Sequence, residues 1–413
     1  MTRCAARAAA VLLGVFLAAV AGTAQAEDLT GRRLTFGGFG TLGVDYNFAR
    51  NLQFRRSVGQ PDSSNGRKFV FSTDSLVGLQ VNAAWSHELE VVLQAVSQDL
   101  ADRNWRPRLT RGFVRYLPDE SIMLRGGRIG WEFYPRADSS NIGYTFLTLR
   151  PPVEMFGQIS NQDFDGGDVT LMEPLWSGLG RFKLFGGATS GNVVLADGSS
   201  ANLGGSQIWG VQADYSRGPW MGQVGIGWYL VGHPPSLEPL VAGLRLTGQP
   251  QAAHLADEFE QKGRRNEIIS AALVYDEAPW QGRLYLARTQ YGGPVGPKLN
   301  IGLVSVGYSI GKFTPYGLLS RAYNYAGVQP TGLPDLPPYA ALNAGAYSAQ
   351  TLSQTNQSTA AAGLRYDFAR RMDLKFQVDE VWTQGSVLVF DRNTPPRGHA
   401  NLTVIGLAFD FVF

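Results

Sequence analysis

The chain predicts an all-β fold, a single transmembrane antiparallel β-barrel of about sixteen strands. Three observations predict it. Segments of about 9–11 residues alternate bulky apolar with small or polar side chains along most of the chain, the length of a tilted membrane strand. The connections between them alternate short and long. After Ala26, no run of about 18 apolar residues could cross a membrane as a helix.

The first element is an export signal. Arg3 and Arg7 precede an apolar run from Ala8 to Gly22, and Ala24, Gln25 and Ala26 give a small-x-small cleavage pattern. Residues 1–26 are therefore expected to be removed, leaving 27–413 as the barrel. The only cysteine, Cys4, lies in this segment, so the mature chain is expected to have no disulfide or thiolate metal site. The whole chain carries 36 Lys+Arg against 34 Asp+Glu. Two of those arginines leave with the signal, which holds no acid, and the mature net charge is zero. A nucleic-acid partner has no electrostatic support.

The strands follow. Leu79, Val81, Ala83 and Trp85 alternate with Gln80, Asn82 and Ala84. A turn at 86–88 leads to Leu89, Val91, Leu93 and Ala95 in the same rhythm. Similar hairpins recur at 209–215 with 220–230, 269–275 with 280–286, and 360–368 with 372–378. In the last segment Ile405, Leu407, Phe409, Phe411 and Phe413 share one parity. Successive strand residues face opposite sides, so each strand has one bulky apolar face. Strand centres are predicted near 39, 77, 93, 113, 125, 169, 185, 211, 225, 271, 285, 304, 318, 364, 376 and 407.

The long connections lie near 47–66, 130–165, 190–205, 232–264, 324–356 and 383–399. Trp85, Trp220 and Trp280 sit beside short turns, as an interfacial girdle requires. Short turns on one side and long loops on the other match the periplasmic and extracellular ends of an outer-membrane barrel. An even strand count puts both termini on the periplasmic side. Residues 252–262 are Ala/Glu-rich and predict a short helix. The stretch 324–356 reads as irregular.

At this level the sequence resembles the Gram-negative outer-membrane porin superfamily. Terminal Phe413 on an amphipathic strand resembles the porin assembly signal. The hairpin Arg111–Tyr116 with Met123–Arg128 resembles the strands that precede the third loop. Asn141–Tyr144 and Leu149–Glu154 resemble a pore-folded loop, and Gly363–Phe368 with Leu374–Asp379 the penultimate hairpin. The resemblance implies a long third loop folded into the lumen. It also implies a homotrimer in outer-membrane lipid and lipopolysaccharide, assembled by barrel assembly machinery through the last strand. The function it implies is passive diffusion of small hydrophilic solutes and ions, with a solute-specific channel as the alternative.

The third loop, roughly 130–167, is the main functional candidate. Its acids are Glu132, Asp138, Glu154, Asp163 and Asp165, with Asp168 at its edge. The strands before it carry Arg111, Arg115, Arg125 and Arg128. A basic wall facing an acidic loop would set a transverse field at a constriction. Arg111 and Arg115 share parity and are expected to face the lumen. Arg125 and Arg128 have opposite parity. A bulge at Gly126 and Gly127 could turn both inward, or Arg128 could lie at the strand end. Asp74, Gln80, Asn82, Glu90, Gln94, Arg283, Arg365, Asp367, Lys375, Gln377 and Asp379 are further lumen candidates by parity.

Other motifs are discounted. Gly38, Gly40 and Gly43 fit a dinucleotide fingerprint but lie inside the first strand with no helix after it. His87, His233, His254 and His399 have no metal-ligand spacing. A triad of Ser236, Glu238 and His233 or His254 would need mutual reach, and an enzyme or an adhesin is the outside alternative. No cofactor is expected.

Overall fold

The computed structural model describes residues 25–27, 33–61, 64–101, 104–158, 162–189, 191–195, 200–232, 236–260, 265–390 and 398–413. Sixteen long strands form one closed antiparallel sheet. They are β1 (Arg33–Asn47), β2 (Leu76–Ala84), β3 (Leu89–Gln98), β4 (Arg108–Tyr116), β5 (Ile122–Gly130), β6 (Asp163–Leu175), β7 (Gly178–Thr189) and β8 (Ser206–Arg217). The second half comprises β9 (Trp220–Leu230), β10 (Arg265–Glu277), β11 (Trp280–Gln290), β12 (Leu299–Tyr308), β13 (Phe313–Asn324), β14 (Thr355–Ala369), β15 (Met372–Ser386) and β16 (Ala400–Val412). Each strand pairs with its sequence neighbours, and β1 closes on β16 from Phe39↔Val412 to Asn47↔Val404. Every predicted strand centre falls inside one of these strands. The expected export signal lies outside the described residues apart from Gln25 and Ala26, which with Glu27 pair with Arg33–Thr35.

The alternation read from the sequence sorts side chains as a membrane barrel needs. Leu79, Val169, Leu171, Val224, Leu273, Leu286, Val304, Leu319 and Leu407 are exposed on the outside. Gln80, Gln94, Asp168, Gln212, Gln223, Ser270, Ser320, Gln377 and Asp379 belong to the inward parity, and most are buried. Trp85, Trp176, Trp220 and Trp280 are exposed beside the short turns. Apolar outer belt, aromatic rim and closed ladder together place the chain across an outer membrane.

Closure explains the glycine fingerprint. Gly38 and Phe413 exchange backbone hydrogen bonds of 3.1 and 2.9 Å. A β-carbon on Gly38 would fall on the Phe413 ring, and one on Gly40 would fall on the Phe411 ring. These glycines are flat spots that seat the phenylalanines of the closing strand.

Among the described residues the long-loop side carries four α-helices. The short α1 (Val153–Phe156) lies within the third loop. Helices α2 (Glu238–Leu246) and α3 (Pro250–Phe259) form the fifth loop, so the predicted helix near 252–262 starts and ends earlier. Glu238 in the first turn and Arg245 in the last complement the α2 dipole, and Pro250 opens α3. Arg245 ties the two helices through Asp257 at 2.6 Å and Glu260 at 3.0 Å. The stretch 324–356, expected to be irregular, instead contains α4 (Ala340–Thr351). Its alanines Ala346 and Ala349 pack against Val241, Leu244, Leu255 and Phe259. Packing onto neighbours stabilises that helix, because its own apolar face is weak.

Replacing Gly38 with valine is expected to unseat Phe413. Overpacking of this kind costs roughly 1–3 kcal/mol. The expected outcome is a lower urea midpoint for the loss of the compact band on unheated gels. An unchanged midpoint would show that the ring contact is dispensable.

Candidate functional site: a loop pinned across the lumen

The loop between β5 and β6 carries an unusual density of aromatic residues for a polar lumen. Phe133, Tyr134, Phe146 and Phe156 are all buried. Tyr134 and Phe146 meet the Phe156 ring edge-on at 4.8 and 5.4 Å. Phe133 meets Phe185 of β7 edge-on at 5.4 Å. These rings share one cluster with Phe164, Ile208, Ile301, Leu303 and Leu318 of the wall. The hydrophobic effect therefore draws the loop inward. The wall is cut to receive it: a β-carbon on Gly227 would lie within the Phe133 ring.

Charge fixes both ends of the crossing. At the near end Glu132 accepts from Lys183 Nζ at 2.6 Å, with Arg181 and Arg125 at 3.3 and 3.4 Å. Burial alone would raise the Glu132 carboxyl, but Lys183, Arg181 and Arg125 outweigh it and hold it down to about 2. Gln223 donates to the Glu132 carbonyl at 2.7 Å, and Ser270 donates to that of Phe133.

At the far end Arg150 is 3% exposed and meets three carboxylates from three different parts of the wall. Its Nε lies 3.0 Å from both Asp74 oxygens, its Nη1 lies 2.7 Å from Asp379, and its Nη2 pairs with Asp45. Burial would lower the pKa of this guanidinium, but Asp45, Asp74 and Asp379 hold it well above the ordinary value. The Leu149 N–H donates to Tyr316 and Gln377 at 3.1 and 3.0 Å. Lys375 donates to the Gly143 carbonyl at 2.7 Å, and Arg365 donates to those of Tyr144 and Phe146, each at 3.0 Å.

The predicted site residues are distributed unevenly around this loop. A register shift opposite Gln94 makes Thr110 an extra residue on β4. It brings Arg108 as well as Arg111 to the lumen side. Arg108 pairs with Asp163, while buried Arg111 donates to the carbonyls of Thr110 and Asp138. Arg115 pairs with Glu90 at 2.6 Å across β3 and β4. Arg125 Nε is 3.0 Å from both oxygens of Asp168. Glu154 accepts from Ser320 and Gln357, each at 2.6 Å, and from Thr359. Its partners are hydroxyl and amide groups rather than an arginine.

Arg128 and Asp165 are corrected. The register of β5 runs unbroken through Gly126 and Gly127 on both sides, so no bulge turns Arg128 inward. Arg128 and Asp165 pair directly across the two strands at 2.6 Å, on the outward parity of Val169 and Leu171. They lie outside the lumen. Gly127 has φ +128°, and a β-carbon there would strike the Gly112 carbonyl.

Several site residues escaped the sequence reading. Asp45, Arg181, Lys183 and Asp410, which pairs with Lys375 at 2.8 Å, all have inward parity, which applied strand by strand would have found them. Arg136 and Asp276 meet at 3.6 Å, and Arg283 also approaches Asp276 at 3.8 Å. With Arg365 and Asp367 they line a cavity of about 470 Å³ at the short-turn end, below the loop. A smaller polar cavity of about 50 Å³ lies among Arg56, Arg108, Arg111 and Asp163 on the β3–β6 side.

No family model and no curated protein matches the chain by sequence. Solved structures match it by shape. An anion-selective porin from Comamonas acidovorans aligns at 10% identity over 92% of this chain and 100% of its own, with a TM-score of 0.53. The outer membrane channel DcaP of Acinetobacter baumannii aligns at 13% over 94% and 100%, also at 0.53. Pseudomonas putida OprB aligns at 11% over 93% and 94%, at 0.54. The shared property is the closed sixteen-strand barrel.

The Arg150 pin can be tested by replacing Arg150 with methionine. Asp45, Asp74 and Asp379 would then be buried without their cation, a change that costs roughly 3–5 kcal/mol. The expected outcome is a large fall in thermal stability in detergent, together with protease cleavage within 131–162. Wild-type stability and protection would show that the loop is held by its aromatic contacts alone.

Proposed function

We propose that the protein is an outer-membrane channel for passive diffusion of small hydrophilic solutes and ions. Its constriction is set between the third loop and the barrel wall. The observation that carries this reading is the set of buried ion pairs by which Glu132 and Arg150 tie the third loop to the barrel wall. A loop fixed in this way narrows a barrel without occupying all of it. On this reading Arg111, Arg115 and Arg125 form the basic side, and Glu132, Asp138, Glu154 and Asp163 the acidic side. The structural neighbours include an anion-selective porin and an outer membrane channel, which supports the same class of function.

The cavity at the short-turn end refines the selectivity. It carries three arginines, Arg136, Arg283 and Arg365, against two aspartates, Asp276 and Asp367. Its excess of positive charge favours anions at that mouth. In planar bilayers, purified protein should give discrete conductance steps, and a salt gradient should give a reversal potential of anion-selective sign. Changing Arg136 and Arg283 together to glutamate should move that potential toward cations. No steps would sink the channel reading; an unmoved potential would remove these arginines from it.

A homotrimer is proposed on the outer face. Arg128 and Asp165 pair there beside Gly126 and Gly167. An outward charge facing lipid costs roughly 2–4 kcal/mol at midplane, falling toward the interfaces. A neighbouring barrel would cover the pair, and the adjoining glycines leave a smooth surface for it. The remaining outer wall would contact lipid and lipopolysaccharide, and the Phe413 strand would be read by assembly machinery. Changing Arg128 and Asp165 together to leucine should alter the trimer fraction measured by native mass spectrometry. Monomer in the wild type would reject the trimer.

A further inference from the structure

The long-loop half of the barrel contains a cavity that a channel for hydrophilic solutes does not require. Its volume is about 250 Å³. Loop residues Trp131, Phe133, Tyr134 and Met155 line one side. Inward residues Ala287 of β11 and Ile301 of β12 line the other. Leu237, just before α2, and Ala349 of α4 contribute to its boundary. Residues of the helical loops thus form part of the chamber's boundary.

We propose that this chamber is a binding site for a small aromatic molecule carrying one hydroxyl or other hydrogen-bonding group. Three features fit that class. A dry apolar cavity of roughly 150 Å³ already accepts benzene, so this one has room for a substituted ring. The surrounding Trp131, Phe133 and Tyr134 present aromatic faces and edges, which favour stacked or edge-on contact with another ring. Two buried polar atoms on the lining, Gln158 Nε2 and Ser353 Oγ, have no hydrogen-bond partner among the described residues. An apolar pocket with a few polar groups that fix orientation is the usual form of a small-molecule site. Sugars and small ions would leave the apolar walls wet and gain little there. The inference is independent of conduction, since a molecule can occupy the chamber whether or not ions pass.

The test is binding of 4-fluorophenol to the full chain in lipid nanodiscs, read by calorimetry and by ¹⁹F line broadening, with empty nanodiscs as the blank. The expected result is saturable binding of one molecule per chain above the blank, with no signal for glycerol. Ala287→Phe, which fills the chamber, should weaken binding at least ten-fold while the compact band on unheated gels is retained. Should that variant fail to fold, Gln158→Leu combined with Ser353→Ala serves instead. It should weaken 4-fluorophenol several-fold and leave fluorobenzene unchanged. Wild-type binding no greater than the blank overturns the site, as does undiminished binding in a folded Ala287→Phe protein. Equal loss of both probes in the double variant overturns the polar contact. Conduction without binding would fail this inference alone, and binding without conduction would fail the channel reading alone.

Discussion

A backbone N–H or C=O within hydrocarbon has no water to turn to, and each unmet group costs several kcal/mol. The remainder of this structure depends on how that demand is met. Sixteen strands pair in sequence order and β1 closes on β16, leaving no lipid-facing edge. Closure then forces a division of side chains. On each strand every second residue faces outward and most of these are apolar, while the residues between face an enclosed lumen and are free to be polar. Glycines Gly38 and Gly40 serve closure itself, because only a residue without a side chain leaves room for the rings of Phe413 and Phe411.

An enclosed polar lumen makes the third loop possible. A chain crossing open solvent would be mobile, but here it meets a wall that can be matched to it. The apolar cluster around Phe133 and Phe156 draws the loop in, and the buried ion pairs fix its register. Ion pairs of this kind contribute little net stability, because desolvation offsets much of the attraction. Their stronger effect is on alternatives. Any shift that moves Arg150 strands three buried aspartates, so the loop has one well-defined seat.

The strand pattern was legible because alternation is a local property. It depends on neighbours in the chain, and all sixteen strand centres were readable from it. Parity across a bulge was less legible. The extra residue at Thr110 brings Arg108 inward, whereas a bulge at Gly126 and Gly127, one of the two readings open for Arg128, is absent and leaves Arg128 outside. Bulges are set by cross-strand register, which one segment does not encode alone. The Arg150 cluster was illegible for a related reason. Its partners Asp45, Asp74 and Asp379 are far apart in sequence and meet only after closure. Helix α4 escaped because its Ala/Gly-rich sequence carries a weak periodic signal and its stability comes from packing on α2 and α3.

The wall glycines give the strongest internal support for the position of the loop. A β-carbon on Gly227 would enter the Phe133 ring, and one on Gly307 would crowd Leu147. One on Gly406 would stand 2.9 Å from Leu149 and 3.1 Å from Arg150. These glycines lie on three strands, β9, β12 and β16, and each faces a different part of one loop. Glycine weakens a strand interior, so its use at these points has a local cost that the loop contact explains. The wall and the loop are therefore complementary in sequence as well as in shape. A lumen built to that match differs in character at its two ends. An apolar chamber lies on the long-loop side and an arginine-lined cavity at the short-turn end.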